Sequence, residues 1–181
     1  TGEILQRIAA GQNPATALVA DGWVYVGSSG GGEVTAVNIA DPSQVTSITV
    51  GKQPLGLCYD GAQGILYVGD YFASSIHLVD AQLKSLVKTV KLSETVRRIQ
   101  GAEMYKGMLY AATNDDTQAI YKIDPVSGEV SKYFDRNLTK GSEGEGITVL
   151  ETEDGAVFHA IDMGPLFINA FIRSYAPVEE R

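Results

Sequence analysis

Residues able to do chemistry are sparse in this 181-residue chain. It has two histidines, His77 and His159, and one cysteine, Cys58. Each histidine sits in an apolar, strand-like run, IHLVD (76–80) and AVFHA (156–160), where an imidazole ordinarily satisfies itself within the fold. HExxH does not occur and no Cys–His pattern does, so neither a zinc site nor a Cys–His nucleophile is assembled by a recognisable motif. Cys58, between Leu57 and Tyr59, reads as core packing. The glycine-rich GSSGGGE (27–33) lacks the GK[ST] of a phosphate loop and reads as a flexible hairpin. Asp115-Asp116 could offer oxygens to calcium, although paired acids on a loop are ordinarily solvated. What remains is a set of loop acids, amides and aromatics whose meaning depends on the elements that position them.

Composition narrows the partners. A formal net charge of −8 argues against nucleic acid, because phosphate binding needs a basic surface. No apolar run approaches the ~18 residues that would suggest a membrane span. A lone cysteine can close no intrachain disulfide. Asn137-Leu138-Thr139 is a glycosylation sequon, which gives a weak lean toward a secreted or extracytoplasmic address. Twenty glycines and nine tyrosines point to β-structure rich in turns.

The positioning elements come from an internal repeat. WVYVG (23–27), ILYVG (65–69), MLYAA (108–112) and AVFHA (156–160) each carry an aromatic, Tyr25, Tyr67, Tyr110 and Phe158, spaced 42, 43 and 48 residues apart. Each run follows a glycine-bearing turn and precedes a polar loop with a second apolar strand: VTAVNI (34–39), IHLVD (76–80), AIYKID (119–124) and FINAFI (167–172). Further strands follow at 45–50, 85–90 and 127–134. A period of about 40–50 residues with four short strands per repeat is the pattern of propeller blades. The expected fold is therefore an all-β, single-domain β-propeller of about four four-stranded antiparallel blades. The blades fall at 12–54, 55–97, 98–141 and 142–178. TGEILQRI (1–8) matches SGEVSKYF (127–134), so residues 1–11 are expected to supply the fourth strand of the last blade. An excerpt of a six- or seven-bladed ring is the alternative. One stretch competes locally: Leu83, Leu86, Val87 and Val90 have helical spacing, but the repeat places 85–90 as a strand.

NPATALVADGWVYVG, QPLGLCYDGAQGILYVGD and EGITVLETEDGAVFHA resemble the strand–turn–strand unit of YVTN and NHL-type propeller repeats. VGDYFASSIHLVD (68–80) and AIYKIDPVSGEV (119–130) resemble their second half. The resemblance implies architecture; such folds host both enzymes and binding modules.

In that architecture the first strand of each blade lines the channel. The loops joining second to third strands share a face with the segments joining successive blades. That face collects Asp70, Tyr71, Phe72, Asn114 and Asp162, with Asn13, Gln53, Arg98, Gln100, Glu143 and Glu145 toward its centre. A polar, acidic mouth above an apolar body is where a ligand is expected. The leading expectation is a non-enzymatic binding or scaffold module presenting this face to a protein or small-molecule ligand, with no cofactor. The alternative comes from EGI (145–147), which resembles the Glu-Gly blade start of gluconolactonase-like propeller hydrolases. That resemblance implies a divalent cation such as calcium in the channel, held by Glu145 with Gln100 and Asn114, and a lactonase or esterase activity. The family's Asn-Gly and Asp-Gly starts are absent from the first three blades.

Overall fold

Alternating apolar and polar side chains between turn residues commit the chain to short strands. The computed structural model describes residues 3–4, 6–153 and 155–176. Blade one comprises β1 (Pro14–Ala20), β2 (Trp23–Ser28), β3 (Glu33–Asn38) and β4 (Val45–Thr49). Blade two comprises β5 (Pro54–Asp60), β6 (Ile65–Asp70), β7 (Phe72–Asp80) and β8 (Ser85–Arg97). Blade three comprises β9 (Ile99–Tyr105), β10 (Met108–Thr113), β11 (Ile120–Ile123) and β12 (Val130–Phe134). Blade four comprises β13 (Glu143–Thr152), β14 (Gly155–Met163) and β15 (Ala170–Tyr175). Each sheet is a consecutive antiparallel meander, and together they are arranged as a four-bladed β-propeller. The helical spacing at 83–90 loses to pairing, since β8 lies along β7 with Ile76 opposite Val90 and His77 opposite Thr89.

Turn chemistry explains the meander. Asn38 and Asp80 end the third strands of blades one and two, and Asp124 directly follows that of blade three. Each accepts two backbone N–H bonds from the residues that follow, an Asx turn that reverses the chain. Asp21-Gly22 and Lys106-Gly107 hold paired positive φ values, 46° and 75°, 48° and 74°. These are the tight hairpin corners that glycine makes accessible.

The core lies between blades. Tyr25, Val34, Ala36 and Ile48 of blade one pack on Leu66, Val68 and Val79 of blade two. Cys58, Tyr67, Ile76 and Val90 then meet Ile99, Leu109, Ala111 and Ile123 of blade three. Tyr110, Ile120, Tyr133 and Phe134 meet Phe158 and Tyr175 of blade four. Burial pushes the Cys58 thiol up to about 12, which suits an inert packing residue.

The N-terminal strand expected to complete blade four rests partly on residues 1, 2 and 5, which lie outside the described residues; among the described residues blade four has three strands. The inner strands touch in the order β1, β5, β9, β13, and β13 and β1 share no comparable contact among the described residues. The aromatic repeat also breaks register. Tyr25, Tyr67 and Tyr110 come two residues after the hairpin-closing positions Trp23, Ile65 and Met108, and they face the following blade. Phe158 comes three residues after Gly155, which pairs with Thr152. One residue of offset turns a strand side chain to the opposite face, so Phe158 packs back onto blade three.

Candidate functional site

The expected face forms, and backbone hydrogen bonds hold it together. The Tyr71 N–H donates to the Gln53 carbonyl (3.0 Å), Arg98 N–H to the Tyr71 carbonyl (2.7 Å) and Asn114 N–H to the Arg98 carbonyl (2.9 Å). Gly144 N–H then donates to Asn114 Oδ1 (3.2 Å). This relay crosses from blade two to blade four and fixes the loops relative to one another. Asn13 plays a similar part in blade one, accepting from Ser29 N–H (3.0 Å) with its own φ at 49°.

The sequence-selected residues do not converge on one mouth; they are shared among separate recesses. Gln53, Asp70 and Phe72 line a cavity of about 550 Å³ with Val50, Lys52, Ser74, Ser75 and His77. Arg98, Asn114 and Glu143 line a second, about 460 Å³, with Asp115, Asp116 and Lys140. Asp162 lines a third of about 180 Å³. Tyr71 packs edge-on against Phe72, centroids 4.8 Å apart, and so supports the ring rather than lining the cavity. Gln100 on β9 and Glu145 on β13 are half-buried and line none of these three.

The trio Glu145, Gln100 and Asn114 is weakened as a cation site because the Asn114 side-chain oxygen already accepts the Gly144 N–H. Burial, with repulsion from Glu143, raises the Glu145 carboxyl above its ordinary range. Among the described residues no group of three or more His, Cys, Asp or Glu side chains could hold a metal. Asp115 is likewise committed: Thr117 and Ala119 N–H groups and the Tyr121 hydroxyl all donate to it, bracing its own loop.

The first recess contains what the sequence hid. His77 faces blade one from β7, with its side chain only 8% exposed. Its Nδ1 lies 3.0 Å from Thr89 Oγ1, while Nε2 is buried with no hydrogen-bond partner among the described residues. Asp70 Oδ2 stands 3.9 Å from that Nε2, within charge reach but beyond a hydrogen bond. Asp70 is seated by the Lys52 and Gln53 N–H groups at 3.0 and 3.3 Å. Burial pushes the Asp70 carboxyl up, but His77 and the two backbone N–H groups outweigh it and hold it below the usual carboxylate range. A Cβ at position 51 would collide with this carboxylate, so glycine there is a condition of the seat. An unpaired buried polar atom costs roughly 1–3 kcal/mol, and Nε2 is one of four such side-chain atoms among the described residues, with Ser28 Oγ, Asp162 Oδ2 and the Tyr175 hydroxyl.

A second buried charge also escaped the sequence. Arg136, its side chain wholly enclosed, donates to the Gln118 and Thr113 carbonyls at 2.6 and 2.8 Å and to Asp162 Oδ1 at 2.8 Å. Arg173 Nε lies 2.8 Å from Asp162 Oδ2, a charge contact without hydrogen-bond alignment. A Cβ at Gly144 would collide with the Arg136 guanidinium.

Residues 55–149 match the family described as a repeat of unknown function, DUF6923. The chain belongs to this family. No curated protein matches it in sequence. Its fold is similar to Kuenenia stuttgartiensis hydrazine synthase at 20% identity and a TM-score of 0.69, over 96% of this chain and 49% of that one. The Cps50 (Swd1) β-propeller domain of Myceliophteria thermophila is similar at 14% identity and 0.60, over 88% and 52%. Myxococcus xanthus glutaminyl cyclase is similar at 21% and 0.56, over 86% and 70%. The DUF6923 chain thus spans about half the length of the first of these structures. Such low identities carry the propeller fold alone. No described helix is long and apolar enough to cross a membrane.

Proposed function

We propose that this DUF6923 chain is a binding module whose loop-bearing face takes a small ligand in the recess lined by Asp70, Phe72 and His77. The buried Nε2 of His77, a residue that lines that recess, has no hydrogen-bond partner among the described residues, and this carries the reading. It lies beside a carboxylate seated by two backbone amides and a glycine. A cavity of about 550 Å³ is within the ordinary range for small-molecule sites. Rigid positioning supports the same reading, because the recess is built on strands β6 and β7 and tied to its neighbours by the hydrogen-bond relay.

The test is a ligand-observed NMR screen of a chemically diverse fragment set against the wild type, Asp70→Asn and Phe72→Ala. Compounds that bind the wild type are expected to lose binding to both variants. Hits that bind all three proteins equally would move the site away from this recess.

A further inference from the structure

We propose that the Asp70–His77 recess takes a neutral polyhydroxylated ligand, a sugar ring, with adjacent hydroxyls engaging Asp70 and His77 and a C–H face resting on Phe72. This rests on the reading of the recess as a binding site and names its ligand class.

The donors and acceptors around the cavity decide between chemistries. Asp70 accepts two backbone N–H bonds, and a carboxylate has about four acceptor positions, so it can still receive hydroxyl donors. The His77 ring lines the recess, and its enclosed Nε2, reached by a ligand only if the ring turns toward the cavity, adds one more position, donor or acceptor according to which ring nitrogen carries the proton. Ser74 and Ser75 each donate and accept, and the Gln53 side chain does the same through its amide. Such two-way partners suit hydroxyls, which themselves donate and accept.

Charged ligands fit less well. An anion would meet the ionised Asp70 against a single cation, Lys52. A cation would find one carboxylate on the lining, already holding two amides. A wholly apolar ligand would leave Asp70 and Nε2 buried without partners, at a cost of roughly 1–3 kcal/mol or more.

Phe72 supplies the apolar half. It is 54% exposed at the edge of the recess, and Tyr71 holds its ring at a 76° edge contact. An exposed aromatic beside clustered hydrogen-bonding groups matches a molecule that is polar around its rim and apolar on its faces.

The experiment is calorimetric titration of the intact chain with a panel of neutral mono- and disaccharides, alongside benzyl alcohol and a sugar acid. The His77 ring resonances are followed by NMR in parallel. At least one neutral sugar is expected to bind saturably and shift the His77 resonances. Binding should weaken by about tenfold or more in Asp70→Asn, the loss of one hydrogen bond to a charged group. His77→Gln provides the same reading if Asp70→Asn does not fold. Failure of every neutral sugar to shift His77 overturns the ligand class, as does sugar binding that leaves both variants at wild-type affinity. If benzyl alcohol or the sugar acid then binds and shifts His77, the recess stands as a site with a different ligand. If nothing binds there, both readings fall.

Discussion

Asp70 and Asp162 lie at the loop-face ends of the second strands of blades two and four, yet their surroundings differ in kind. Asp162 sits between two guanidiniums, and Arg136 also donates to two backbone carbonyls. Asp70 faces an imidazole held 3.9 Å away whose near nitrogen has no partner. The first arrangement is saturated with charge and explains itself as structure: it ties the segment after β12 to blade four. The second is incomplete as folded. Asp162 Oδ2 and His77 Nε2 both lack a hydrogen-bond partner among the described residues; what separates them is that Asp162 has two guanidiniums against it, whereas Nε2 faces one carboxylate at 3.9 Å on a residue lining a cavity.

Removing Arg136 tests the saturated side and carries the largest effect. Arg136→Met should lower stability by about 3–5 kcal/mol, because Asp162 loses its enclosed cation and two carbonyls lose their donor. Urea denaturation followed by circular dichroism measures this. A loss no larger than that of an ordinary surface substitution would remove the structural role assigned to the pair.

Asp70→Asn should act more weakly and with a pH signature. At neutral pH the expected loss is about 1–2 kcal/mol, since backbone bonds to a charge become bonds to a neutral amide. The folded-state carboxyl lies below its unfolded value of about 3.9, so its contribution is complete above that value and disappears as pH falls through the lowered one. The gap between wild type and variant should narrow toward acid, and urea midpoints from neutral pH downward read it. A gap that widens on acidification would contradict the seating of Asp70.

The repeat was legible in the sequence because each blade advertises an aromatic strand behind a glycine turn, and the shared loop face followed from that phase. Strand β8 was legible for the same reason, since blade register outweighed a local helical period. The direction in which Phe158 faces was not legible, because a one-residue offset after the hairpin is invisible until the pairing of Thr152 with Gly155 is seen. The ring of site residues was read as one mouth because loop membership specifies a face but not which inter-blade groove a side chain enters. His77 was passed over since a histidine inside IHLVD looks like any strand histidine. Only the neighbouring Val50–Gln53 segment, brought over from the end of blade one, shows that it borders a cavity. Arg136 lies in a segment with no counterpart in the other blades, so no repeat signal pointed to it.

The smallest expected effect is the most direct test. His77→Leu removes a buried nitrogen without a hydrogen-bond partner among the described residues, its 3.9 Å charge contact to Asp70, and a contact to Thr89, which is exposed and can turn to water. Its stability in urea should stay within about 1 kcal/mol of wild type. A loss as large as that of Arg136→Met would make His77 a structural residue and contradict the recess as a ligand site.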